Sequence, residues 1–202
     1  MKKLANNDYP INDLIKQRWS PRAFSDEPVE DETLRSLFEA ARWAPSCYND
    51  QPWSFIVGQK DDPSGVYDEL FDCLVDANQV WADQAPVLAL SVARTHFDFN
   101  GKPNAHARHD VGLAVENLII EAMDRGLYVH QMAGFVEAKA RTKFSIPEDH
   151  EPVAGLAIGY PGDPDNLPEE KREDEVSPRE RDPLNEFVFG SDWETAADIL
   201  PD

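Results

Sequence analysis

ARWAPSCYNDQPWSFIVG, residues 41–58, passes from one kind of structure through a second into a third. Its opening residues close an amphipathic pattern that runs from Glu30 to Ala44. Leu34, Leu37, Phe38 and Ala41 recur at helical spacing there, acids fill the first turn, and Pro45 supplies the stop. PSCYNDQPW, 45–53, is dense in turn formers, and SFIVG, 54–58, is an apolar run of buried-strand length. The stretch therefore predicts helix, polar loop and strand, with the loop's side chains held between two rigid elements.

Toward the N-terminus, PINDLIKQR at 10–18 predicts a short helix opened by Pro10 and closed before Ser20-Pro21, which puts Arg18 at a helix end. Toward the C-terminus, Val66, Leu70, Leu74 and Ala77 predict one helix, and PVLALSVA at 86–93 predicts a strand. RTHFDFNGKPN at 94–104 reads as a surface loop or lid. The longest helical pattern covers 105–125, with Val111, Val115, Leu118, Ile119 and Ala122 on one stripe and Gly126 as its C-cap. LYVHQM at 127–132 predicts a strand, FVEAKARTKF at 135–144 a helix, and VAGLAIGYPG at 153–162 a strand ending in a turn. Helices thus interleave with four apolar strands. The acid-rich segment 163–182 reads as extended and solvated, yet Phe187, Phe189 and Trp193 follow it, so the tail is expected to wrap a surface such as a partner subunit's.

With 202 residues, 41% of them hydrophobic, the chain suits one domain over 1–202, with 163–202 as its extended arm. A formal net charge of −20 repels nucleic acid and anionic lipid, so neither is an expected partner. No apolar run reaches membrane-spanning length, and MKKLANNDYP has lysines without an apolar run behind them, so the expected location is cytoplasmic. Cys47 and Cys73 lack CxxC spacing, which argues against a disulfide framework or a zinc site.

In so acidic a chain, an anion must be held by a local group of cations. Arg18 and Arg22 flank the Ser20-Pro21 break, and Arg179 and Arg181 flank Glu180. Two or three such guanidinium groups can bind a phosphate dianion; the same residues can equally form surface ion pairs. The amides of Asn49 and Gln51 can read the edge of a planar heteroaromatic ring or simply cap their loop. Cys47 is either a redox thiol or a small packed side chain. His106 and His109 lie three apart before Asp110, but no second cluster completes a metal site, and none is expected. His130, in a strand, reads as a hydrogen-bonded core histidine. GxGxxG, GxxxxGK[ST] and GxSxG patterns are absent, which disfavours phosphoryl transfer and serine hydrolysis.

Four stretches together resemble the nitroreductase family: RWSPRAF at 18–24, ARWAPSCYNDQPWSF at 41–55, MAGF at 132–135 with AIGYPGD at 157–163, and RERDPLNEFV at 179–188. The resemblance implies an α+β fold with a central mixed sheet flanked by helices, in an intertwined homodimer whose C-terminal extension lies on the partner subunit. It implies FMN as cofactor, and NAD(P)H and a small electron-poor acceptor, such as a nitroaromatic or quinone, as substrates in ping-pong order. By position, Arg18 and Ser20 match phosphate and ribityl contacts, with Trp19 between them counted among the cofactor residues. Arg22 matches the basic residue near flavin N1 and O2. Pro45, Ser46 and Asn49 match the loop that lies against the flavin ring, in part from the opposite subunit, with Gln51 beside it, and Arg179 and Arg181 match a C-terminal basic pair at the phosphate. Ala133 and Gly134 match the catalytic position whose backbone N–H faces flavin N5. Many relatives carry Gln-Asn where this chain has Glu116-Asn117. Competing readings are an FMN storage or sensing module without turnover, and an acidic interaction protein without cofactor.

Overall fold

The computed structural model describes residues 3–200. In chain order its elements are α1 (Asp13–Gln17), α2 (Asp31–Arg42), β1 (Trp53–Gln59), α3 (Val66–Cys73), α4 (Asp76–Ala82), β2 (Val87–Arg94), α5 (Ala107–Asp124), β3 (Tyr128–Met132), α6 (Glu137–Phe144), β4 (His150–Gly159) and α7 (Glu169–Val176). The strands stand in the order β1-β2-β4-β3. All three pairings are antiparallel, so the expected mixed sheet is corrected to an antiparallel one. The connections explain this. β2 begins beside the end of β1, with Val87 opposite Gln59, and β4 runs back along β3, with Gly155 opposite Met132, so the segment carrying α3 and α4 and the segment carrying α6 each return at the end of the sheet they left and make no crossover.

β2 explains why the molecule has three layers. Its side chains alternate between two apolar clusters, with Leu88, Leu90 and Val92 facing Tyr67, Leu70 and Trp81 on one side. Val87, Ala89 and Ala93 face the other side, where Leu34 and Leu37 of α2 meet Val111, Val115 and Leu118 of α5. Both faces of the strand are buried, so its sequence is continuously apolar instead of alternating. The pairing with β4 slips between Ser91 and Val92, where Pro152, lacking an N–H, faces Val92. Ser91 compensates by donating from Oγ to the Ala154 carbonyl at 3.0 Å and accepting the Ala154 N–H at 3.2 Å.

Three sequence expectations change. The single helix predicted through Val66, Leu70, Leu74 and Ala77 is two, because residues 73–75 pair with the turn after β3: the Val136 N–H donates to the Cys73 carbonyl at 2.7 Å, and the Val75 N–H to Gly134 at 3.1 Å. The N-terminal helix starts at Asp13, where the Asn12 side chain caps the Leu14 N–H at 2.9 Å, and not at Pro10. The 163–182 segment is not extended throughout. It holds α7, which turns Glu175 fully inward and leaves its other faces polar, so no apolar stripe marks it. In the tail, Phe187 and Trp193 lie open, and Phe189 packs on Trp193 with ring centroids 5.0 Å apart.

Candidate functional site

RWSPRAF leaves α1 in an extended course, with Arg18 as C-cap at ψ 127°. Alternation then sorts its side chains. Trp19, Ala23 and Phe24 are buried, Trp19 edge-on to Tyr128 and Phe24 stacked on Trp81, while Ser20 stays exposed and Arg18 and Arg22 partly so. The indole N–H of Trp19 has no acceptor among the described residues.

The turn is fastened from three directions. The Ala23 carbonyl accepts the Gly162 N–H at 2.8 Å, in an approach so close that a Cβ on Gly162 would lie 2.3 Å from the Phe24 oxygen. The Glu175 carboxylate accepts the Arg22 N–H at 2.9 Å and the Ala23 N–H at 3.1 Å. The Pro21 carbonyl lies 2.8 Å from His130 Nδ1, which donates to it in the neutral ring.

Burial, more than any neighbour, pulls the His130 pKa down from 6.5 to about 4. The unfolded chain takes up a proton near pH 6.5 and the folded ring does not, so the stability His130 confers is complete above pH 6.5 and shrinks as pH falls toward 4. Urea unfolding at pH 7 and at pH 4.5 should show the parent losing roughly 2–3 kcal/mol more than His130→Gln over that interval. Equal losses would exclude the neutral buried ring.

The two ends of the chain meet at the end of α1. Arg179 Nη1 donates to the carbonyls of Lys16 at 3.2 Å and Lys3 at 2.9 Å. Burial pushes the Arg179 pKa down, and the charges of Arg18 and Arg181 push it further. Arg18 is pushed down by burial first; the Glu116 carboxylate of α5 opposes this and the Arg181 charge adds to it. Glu116 itself is pushed up by burial, with Arg18 opposing. None of Arg18, Arg179 and Arg181 has a carboxylate within ion-pair distance among the described residues, and Arg181 donates only to its neighbour's carbonyl, Glu180, at 2.6 Å. Three guanidinium groups therefore repel one another in a chain of net charge −20. Arg22 stands apart from this trio, 3.7 Å from Asp174.

The 45–53 loop makes a single 3-10 turn, Cys47–Asn49, and holds Tyr48, Asn49 and Gln51 at φ of 54°, 56° and 50°. Ser46 Oγ accepts the Gln51 N–H at 3.0 Å, and Gln51 Nε2 donates to the Asn49 carbonyl at 3.0 Å, so both side chains cap their own loop. Pro45 and the Asn49 side chain are exposed. Beyond β3, Ala133 is exposed, and the Gly134 carbonyl is held by Asn78 Nδ2 at 2.9 Å as well as by Val75. The surface depressions beside Leu74 and Val136 (about 620 Å³) and beside Phe38 and Val57 (about 500 Å³) are lined by none of Arg18, Arg22, Arg179 and Arg181 and by no residue of the 45–53 loop.

Sequence reading missed four supporting residues. Glu175 was hidden in an acidic run, and Asp50 and Arg94 in turn-rich segments. Asp110, read only beside the histidines, is buried and accepts the Cys47 N–H at 3.0 Å. Cys47 and Cys73 are free thiols, and the described residues contain no cluster suited to a metal ion. No described helix is long and apolar enough to cross a membrane.

The profile described as Nitroreductase family matches residues 15–160. A solved structure described as an oxidoreductase containing FMN superposes with a TM-score of 0.88 at 36% identity, over 93% of this chain and 95% of that one. The FMN reductase [NAD(P)H] of Bacillus subtilis is 28% identical over 177 residues, 76% of this chain and 68% of its own. An uncharacterized 15.4 kDa protein in the ask 5' region of Mycolicibacterium smegmatis is 33% identical over 144 residues, 69% of this chain and 96% of its own. The fold and the profile agree: this chain belongs to the nitroreductase family.

Proposed function

We propose that this protein is an FMN-dependent oxidoreductase that passes reducing equivalents from NAD(P)H to a small electron-poor acceptor such as a nitroaromatic or a quinone. The observation that carries the reading is the set Arg18, Arg179 and Arg181, drawn from both ends of the chain and left without carboxylate partners among the described residues. Such a cluster is costly unless an anion joins it. The phosphate of FMN is the anion that suits three guanidinium groups beside the Ser20 hydroxyl. Bound there, FMN supplies the hydride-accepting and hydride-donating chemistry.

The chain's own contribution is to bind and orient. Arg18, Ser20, Arg179 and Arg181 hold the phosphate end, and Arg22 offers positive charge toward the ring, tempered by Asp174. In the turn outside the strands, the N–H groups of Ala133 and Gly134 make no hydrogen bond among the described residues, and the Ala133 carbonyl, which shares a peptide plane with the Gly134 N–H, accepts the Phe135 N–H at 3.1 Å and so fixes that donor's direction. They are donors for the reacting edge of the ring. Small side chains at both positions leave a face open for donor and acceptor in turn, which is the ping-pong order. Pro45, Ser46, Asn49 and Gln51 form the wall beside it. The exposed Phe187 and Trp193 support a homodimer in which the tail is covered by a second copy.

The test is the visible spectrum of the purified protein, followed by anaerobic titration with NADH and with NADPH. Flavin absorption that bleaches on titration and returns on adding a quinone is the expected result. Colourless protein that fails to take up added FMN would end this reading, and yellow protein that neither nucleotide bleaches would leave an FMN-binding module without turnover.

A further inference from the structure

The 45–53 loop is strained and yet held. Three non-glycine residues in the left-handed region within four positions, Tyr48, Asn49 and Gln51, cost free energy that persists only where surrounding groups leave the backbone no alternative. The groups responsible lie outside the loop's recognisable motif.

One is Asp110, whose carboxylate, at the first turn of α5, takes the Cys47 N–H. The other is a grip centred on Arg94, the last residue of β2. Its Nη2 donates to the Asp50 carboxylate at 3.1 Å and to the Asp50 carbonyl at 2.9 Å, so one nitrogen binds both side chain and main chain of the same loop residue. The Arg94 backbone N–H donates to the Pro52 carbonyl at 2.8 Å, holding the loop's exit as well. The Asp50 side chain is only 2% exposed, so this is a desolvated pair and not a surface one. The second Asp50 oxygen accepts the Asp98 N–H at 3.0 Å, while Arg94 Nη1 reaches the Asp98 carboxylate at 2.9 Å. The 95–104 segment is thereby tied to the same carboxylate, and its Phe97 and Phe99 rings lie 5.8 and 5.6 Å from Tyr48.

We propose that Arg94 is a positioning residue for the flavin site: by gripping Asp50 it keeps the 45–53 loop in the strained shape that presents the Asn49 amide to the ring. This rests on the assignment of that loop to FMN above. The rigid fork of a guanidinium is required, because one end must meet a carboxylate and a carbonyl while the other reaches Asp98; an ammonium supplies the charge without the fork.

The experiment compares purified full-length protein with Arg94→Met, Arg94→Lys and the double variant Arg94→Met/Asp50→Asn, which removes the buried pair without stranding a charge. Arg125→Met, which breaks the Arg125–Glu121 pair at the end of α5, is the control. Amide exchange at residues 46–51, the FMN dissociation constant by flavin fluorescence, and kcat and KM with NADH and a quinone are measured together. Arg94→Met and the double variant should speed exchange at 46–51 and weaken FMN binding, each by about tenfold or more, with kcat falling further than KM rises. Arg94→Lys should fall between these and the parent, and Arg125→Met should move none of the readings.

Unchanged exchange at 46–51 in both Arg94→Met proteins overturns the grip. Faster exchange with unchanged FMN affinity and turnover overturns the positioning role and removes the loop from the flavin site. Parent protein that takes up no FMN sinks the functional reading itself, and the exchange data then judge the grip separately.

Discussion

Arg18→Ala combined with Arg181→Ala is expected to weaken FMN binding by two to four orders of magnitude while leaving the FMN-free protein at least as stable as the parent. Each charge-assisted bond to a phosphate contributes on the order of 1.5–3 kcal/mol, so losing two gives roughly 3–6 kcal/mol. These two arginines are chosen because the fold asks little of them. Arg18 makes one long side-chain contact, 3.4 Å to Ser20 Oγ, and Arg181 bonds only a neighbouring carbonyl. Arg179 also ties Lys3 and Lys16, so its loss would mix packing with binding. Removing two of three mutually repelling cations should relieve the FMN-free state, a trade of stability for function that is common at binding sites. Fluorescence titration and thermal melts of the FMN-free proteins check both halves. An unchanged dissociation constant would show that the phosphate lies elsewhere.

The second large effect is expected at Glu175. Glu175→Ala should lower unfolding stability by roughly 2–5 kcal/mol, because two backbone N–H groups of the arginine-bearing turn lose their acceptor and a buried side chain leaves a void. The carboxylate is 1% exposed and is the sole partner found for the Arg22 and Ala23 N–H groups among the described residues. Glu175→Gln keeps one acceptor oxygen and should lose about half as much, since a neutral amide accepts more weakly than a carboxylate. The turn also carries Arg18, so FMN affinity should fall in step with stability across the two variants. Denaturant midpoints and FMN titrations on the same preparations test this. Stability equal to the parent's in Glu175→Ala would mean that the turn holds itself.

These two residues illustrate what can be read from sequence. Arg18 stood out because paired cations around a Ser-Pro break are unusual in so acidic a chain, and the resemblance joined them to Arg179 and Arg181. Glu175 did not stand out: it lies in PEEKREDEV, where every acid looks solvated, and only the packing of α7 against residues 22–23 selects one of them. The two amides of the 45–53 loop had been open between ring recognition and loop capping, and the structure shows Ser46 and Gln51 engaged in capping, leaving the exposed Asn49 amide facing outward.

By itself the sequence determined the alternation of helices and strands, the apolar strand at 86–93, the polar loop after α2 and the family, since these depend on hydrophobic period, turn chemistry and ordered motifs. The tertiary structure alone decided that the helix through Leu74 breaks, that every strand pairing is antiparallel, and that Glu175 and Asp50 are buried acceptors. Each of these depends on contacts between residues distant in the chain, whose free energies outweigh local preference and leave no periodic trace in the residues that make them.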